Sequence, residues 1–188
     1  MGEEIGMLDP NYQGMTDYVD VESQNAYRML LTKGLTPSEA FAVVQSKARD
    51  NSRVPLQWDN SPYAGFSTQQ PWLKNGDFDD INVAKDRESA DSLYQFYHQL
   101  IQLRQKHPVI ADGDYTPRYD DVTEVIAFER RLGDVKLLVV THFGESPVTL
   151  SLPDEVVQEG EYLIGNYPKQ PLTNELVLRP YESFAIQY

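Results

Sequence analysis

The chain has 188 residues, 40% of them hydrophobic, and a formal net charge of −13 with no long basic run. That is enough apolar material for a sizeable core, and it lacks the basic footprint that nonspecific nucleic-acid or anionic-membrane binding needs. Cysteine is absent, which rules out disulfides, thiol catalysis and Cys-based zinc sites. Met1-Gly2-Glu3-Glu4 is acidic where a secretory leader is basic and then apolar. No apolar run approaches the roughly 20 residues that cross a bilayer. A cytoplasmic location is expected, with neither nucleic acid nor membrane as a partner.

Residues 1–20 are short, polar and turn-rich (Asp9-Pro10-Asn11, Gln13-Gly14) and read as loop. Val21, Ala26, Met29 and Leu30 give residues 21–31 a helical spacing that stops at Lys33-Gly34. Thr36-Pro37-Ser38-Glu39 is a helix start, with Thr36 as N-cap, Pro37 at the first helical position and Glu39 closing a capping box. That helix should run to Ala48 with Ala40, Phe41, Val43 and Val44 on its apolar face. Residues 50–83 have little periodicity and are broken by Pro55, Pro62, Gly65, Pro71 and Gly76. The aromatics spread through them argue against disorder, and a loop of this length is usually functional or packed on something.

Residues 89–107 give the clearest helical pattern. Leu93, Phe96, Tyr97, Leu100 and Ile101 form a stripe that is expected to face a core. Lys106 and His107 before Pro108 mark its end. From residue 110 the pattern becomes short β runs at 122–130, 136–143, 148–152, 162–164, 176–178 and 183–188, separated by turns such as Leu132-Gly133-Asp134. Strands so spaced predict an antiparallel sandwich. The fold class is therefore α+β, divided near residues 109–113.

The densest chemistry lies at Arg49-Asp50-Asn51-Ser52-Arg53-Val54-Pro55-Leu56-Gln57-Trp58-Asp59. Two guanidinium forks frame a carboxylate and an amide, and such forks bind oxygen-rich groups in fixed geometry. Trp58 and Trp72 offer flat faces that suit a sugar or a core, and a core is the simpler expectation. His98, His107 and His142 show no metal-ligand spacing, and no cofactor motif is present.

This segment resembles the Arg-Asp-Asn-x-Arg-Thr-Pro-Met-Gln-Trp-Asp signature of the α-glucosidase branch of glycoside hydrolase family 13. That branch contains oligo-1,6-glucosidases, dextran glucosidases and trehalose-6-phosphate hydrolases. Further segments are similar in family order: Gly2-Glu3-Glu4-Ile5-Gly6-Met7, Asp17-Tyr18-Val19-Asp20-Val21-Glu22-Ser23, Ala64-Gly65-Phe66-Ser67-Thr68, Pro71-Trp72, Ile81-Asn82-Val83 and Leu178-Arg179-Pro180-Tyr181-Glu182. Val19 stands where the family usually has Arg, and Val54 and Leu56 where it has Thr and Met.

The resemblance implies the end of a (β/α)8 barrel in residues 1–109 and an antiparallel C-terminal β-sandwich in 110–188. It implies a C-terminal fragment of an intracellular, retaining enzyme, with the nucleophilic Asp, the acid/base Glu and the third Asp upstream. No catalytic residue is then expected in this chain. Carried over residue by residue, Glu22 and Arg49 border the sugar site, a carboxylate accepting and a guanidinium donating to hydroxyls. The alternative reading of the same two side chains is a structural pair pinning the last barrel loop. Arg53 is expected to anchor the loop. Ser46-Lys47-Ala48-Arg49-Asp50-Asn51-Ser52-Arg53 looks closest to the trehalose-6-phosphate hydrolases, which implies an α-glucoside or phosphorylated disaccharide as partner. A noncatalytic carbohydrate-binding module is the alternative class. A partial barrel would also expose apolar surface, so self-association of the fragment is a further expectation.

Overall fold

Asp20 and Thr36 start the two long helices of the first half. The Asp20 carboxylate accepts from the Ser23 N–H at 3.2 Å and opens α1 (Val21–Thr32). Thr36 and Glu39 complete the expected capping box, and Pro37 opens α2 (Pro37–Lys47). In this computed structural model, which describes residues 1–188, the chain forms two compact units, Met1–Tyr97 and His98–Tyr188.

The first unit has helices and loops but no strand. α1 packs on α2. Short 3-10 turns at Glu3–Ile5, Met15–Asp17, Arg49–Arg53 and Pro62–Gly65 shape the connections. Its core is Tyr12, Tyr18, Val44, Val54 and Leu73. Tyr12 meets Tyr18 edge-on at 5.1 Å between ring centroids, and Tyr18 meets Phe41 at 6.2 Å. The segment 1–20 is therefore loop-like but anchored by two buried tyrosines. Within the stretch read as aperiodic, Asn82 accepts from the Lys85 N–H at 2.9 Å and caps a short helix, α3 (Val83–Glu88).

α4 (Leu93–Lys106) is confirmed as a helix, but its apolar stripe corrects the sequence expectation. No residue of α4 is buried, and Leu93, Tyr97, Leu100 and Ile101 are exposed. Periodicity identifies a face that repels water and does not supply the surface that covers it. No helix is long and apolar enough to cross a membrane.

The second unit continues through α5 (Pro108–Asp112) into seven strands: β1 (Asp114–Arg118), β2 (Val125–Leu132), β3 (Val135–His142), β4 (Val148–Ser151), β5 (Glu161–Gly165), β6 (Glu175–Leu178) and β7 (Ser183–Gln187). A helix, α6 (Asp154–Glu159), lies between β4 and β5. The strands form a five-stranded sheet, β1-β2-β3-β7-β5, and a two-stranded sheet, β4-β6, and every pairing is antiparallel. Inward residues alternate as a sandwich requires. Val125, Ala127, Leu138, Val140, Phe184 and Ile186 come from the large sheet, and Leu150, Leu176 and Leu178 from the small one. The large sheet ends on β1, which carries Pro117, and on β5, whose register shifts between Tyr162 and Ile164.

The β6–β7 turn is fixed by one ion pair. Glu182 is buried and accepts from the Arg179 backbone N–H at 2.8 Å and from its Nε at 3.0 Å. His142 is buried beside it, and its Nδ1 donates to the Arg179 carbonyl at 2.8 Å. His107 bonds Gln187 and His98 bonds Gln102, so the three histidines are separate groups in the structure.

Candidate substrate groove

Residues 49–59 turn inward at two positions. Asp50 is fully buried in the 3-10 turn Arg49–Arg53, and its Oδ2 accepts from the backbone N–H groups of Val19 at 2.8 Å and Asp20 at 2.9 Å. Its Oδ1 faces Arg53 Nη1 at 3.4 Å, and the same Nη1 donates to Asp20 Oδ1 at 3.1 Å. Asn51 accepts from the Tyr18 hydroxyl at 3.3 Å and donates to the Gln45 carbonyl at 2.8 Å and to Asp9 at 3.2 Å. Arg53 thus anchors the loop as expected. Asp50 and Asn51 hold it more firmly, because a buried carboxylate without its donors would be far costlier than an exposed one.

This lock sets where Glu22 and Arg49 sit. Asp20, tethered to Asp50 and Arg53, starts α1 and so places Glu22 in its first turn. Arg49 immediately precedes Asp50. Arg49 Nη1 then lies 3.6 Å from Glu22 Oε2, with the two side chains 64% and 74% exposed. A pair so loose and so wet contributes about 0–1 kcal/mol to stability. Both charges remain available to a ligand. They line a groove of about 170 Å³, together with Asp20, Ser23, Val43 and Lys47. Ordinary small-molecule sites begin at about 300 Å³, so the groove has the size of one wall of a site.

The electrostatics follow from the lock. Burial alone would raise the Asp20 carboxyl, but the Ser23 N–H and the Arg53 guanidinium outweigh it and leave the carboxyl below its ordinary range. Burial first, and then the Asp50 charge, push the Tyr12 phenol up to about 12. Tyr18 is raised in the same way, by burial and then by Asp9 and Asp50. Both phenols stay neutral around the carboxylate. No cluster of three or more His, Asp or Glu could hold a metal ion.

Trp58 and Trp72 correct the sequence expectation, because they are 48% and 71% exposed and neither belongs to the core. Gln57 is the buried neighbour instead, and it donates to the Asp77 carbonyl at 3.3 Å. Beyond Trp58 the backbone takes an unusual path. Tyr63, Ala64 and Gly65 have φ of +58°, +57° and +65°. For the two non-glycine residues this costs about 1–2 kcal/mol each. The Ala64 carbonyl accepts from Trp58 N–H at 2.8 Å and Asp59 N–H at 3.3 Å, which holds the turn. Gly65 is required twice over: its φ is positive, and a Cβ there would lie 2.7 Å from Asp59 Oδ1. The Tyr63–Gly65 backbone and the inward turn of Asp50 were not legible in the sequence.

Comparison with known proteins gives consistent matches. The sequence profile described as "Alpha amylase, catalytic domain" matches residues 1–113, and "Alpha-amylase SusG C-terminal domain" matches 125–184. An oligo-1,6-glucosidase of Parageobacillus thermoglucosidasius is 36% identical over 97% of this chain and 33% of its own length. A trehalose-6-phosphate hydrolase of Bacillus subtilis is 34% identical over 98% of this chain and 34% of its own length. The crystal structure of Bacillus licheniformis trehalose-6-phosphate hydrolase superposes with a TM-score of 0.91 at 34% identity, covering 99% of this chain and 34% of that one. The chain spans about a third of the length of the relatives it matches.

Proposed function

The chain belongs to the α-amylase family, glycoside hydrolase family 13, and from that premise we propose that it is the C-terminal third of a cytoplasmic, retaining α-glucosidase whose substrate is trehalose 6-phosphate. In this reading residues 1–109 finish the barrel and residues 110–188 form a C-terminal sandwich. Glu22 and Arg49 are substrate-binding residues. The carboxylates that break the glycosidic bond lie in sequence beyond the matched third. Retaining hydrolysis needs two carboxyl groups about 5–5.5 Å apart across the scissile bond.

One observation carries the site assignment. Glu22 and Arg49 come from separate elements, meet at 3.6 Å, and stay open to solvent on a groove too small to be a whole site. An acceptor and a fork donor side by side suit adjacent sugar hydroxyls. The alternative parent is an oligo-1,6-glucosidase, favoured by the 36% identity to the Parageobacillus enzyme.

Steady-state kinetics of the full-length protein tests both parts. The expected result is trehalose 6-phosphate preferred over isomaltose. Glu22→Gln and Arg49→Gln should each lower kcat/KM by about 10–100-fold, the effect of removing a hydrogen bond to a charged group. Equal turnover of both sugars, or of isomaltose alone, removes the substrate assignment. Unchanged kcat/KM in both variants removes the site assignment. The 188-residue chain alone should release nothing from p-nitrophenyl α-glucoside.

A further inference from the structure

We propose that the loop 62–78 carries a second sugar site, which takes one pyranose ring of an α-glucoside against the face of Tyr63. A cavity of about 410 Å³ opens there, lined by Pro62, Tyr63, Gln70, Pro71, Lys74 and Phe78. It exceeds the Glu22–Arg49 groove of about 170 Å³ and falls within the roughly 300–1,000 Å³ of ordinary ligand sites. A pyranose has an apolar C–H face and a rim of hydroxyls. Two prolines and two aromatic rings match the face. The polar groups at the rim match the hydroxyls.

Those polar groups are uncommitted. The Gln70 amide is exposed, and neither it nor the Lys74 ammonium is engaged within the chain, whereas Asn75, which also lines the cavity, donates to the Pro55 carbonyl. An amide both donates and accepts, and an ammonium donates three times. Lys74 is the one charged residue lining the cavity, and its ammonium can donate to the hydroxyls of a neutral sugar. The Tyr63 hydroxyl is likewise unengaged, and its residue is 38% exposed.

The backbone supplies a separate observation. Tyr63 sits at φ +58° and ψ +31°, where glycine would be unstrained, and the strain places a large ring on the cavity wall. Strained backbone that surrounding bonds hold in place clusters at ligand sites. The class α-glucoside rests on the function proposed above, whereas the cavity by itself specifies only a pyranose.

The test is an amide-resolved NMR titration of the whole 188-residue chain with isomaltotriose and, separately, maltotriose. Tyr63→Gly deletes the ring and relieves the left-handed strain, so a loss of fold does not confuse its reading. Saturable shifts of amides within 62–78 are expected. Affinity should fall at least tenfold in Tyr63→Gly and less in Lys74→Met, with melting temperature no lower in Tyr63→Gly. Absence of shifts in 62–78, or wild-type affinity in Tyr63→Gly, overturns the site. Shifts confined to the Glu22–Arg49 groove overturn it while leaving the proposed function intact. Shifts in 62–78 together with a full-length protein inert toward α-glucosides support the site and sink the function.

Discussion

Asp50→Asn is the substitution that best probes how the groove is built. The change keeps shape and removes charge from a fully buried carboxylate. Oδ2 receives two backbone N–H bonds, at 2.8 Å and 2.9 Å, and Oδ1 faces Arg53 at 3.4 Å. Hydrogen bonds to charged groups contribute about 1.5–3 kcal/mol and neutral ones about 0.5–1.5 kcal/mol, so each N–H bond weakens by about 1 kcal/mol. With the amide oxygen kept on the two N–H groups, its NH2 must face a guanidinium, and an attraction becomes a donor–donor contact. The expected loss is about 2–4 kcal/mol. Urea denaturation followed by helical circular dichroism, with tryptophan fluorescence alongside, measures it, because both tryptophans, Trp58 and Trp72, lie in the first unit. Glu22→Gln is the control: its pair is exposed, so it should cost less than about 1 kcal/mol. A shift under about 0.5 kcal/mol for Asp50→Asn, within ordinary surface-substitution scatter, would refute the claim that this carboxylate holds residues 19–20.

Two further outcomes concern the sandwich. Burial raises the Glu182 carboxyl, but the Arg179 side chain and N–H outweigh it and hold the group below its ordinary 4.5. A depressed folded value means stabilisation present above pH 4.5 and lost as pH falls through that folded value; β-sheet circular dichroism during urea melts at neutral and acid pH should show the loss, and equal midpoints would contradict it. Leu178→Ala, at a fully buried position shared by the two sheets, should cost about 2–5 kcal/mol in the same melts, and a cost under about 1 kcal/mol, the scale of a conservative core swap, would show that the two sheets do not share that core.

What the sequence disclosed was largely what local chemistry dictates. α2 was readable because Thr36, Pro37 and Glu39 lie within four residues and act on one another. The antiparallel sandwich was readable because its inward positions alternate. β1 was missed because all five of its residues are exposed and Pro117 interrupts it, which leaves no alternation. α3, which Asn82 caps, was missed because the surrounding stretch has no period. The motif at 49–59 was conspicuous, and Glu22 and Arg49 were singled out from it and from residues 17–23. Which of its side chains turn inward was hidden, since the partners of Asp50 and Asn51 lie at Val19, Asp20 and Tyr18, some thirty positions earlier. The stripe on α4 and the two tryptophans were misread for one reason: apolar character in a sequence does not say whether this chain contains the surface that would cover it.

The ends of the five-stranded sheet have a consequence for behaviour at high concentration. An open sheet offers unpaired N–H and C=O groups along its outer strands, and these template fibrils. Here one outer strand, β1, places Pro117, which has no N–H, in its interior, and the other, β5, breaks register between Tyr162 and Ile164. Neither presents an uninterrupted ladder to a second chain. Despite the exposed side chains of α4, extension of the five-stranded sheet by a second chain is therefore disfavoured, and precipitates formed from folded material should not be ordered through that sheet.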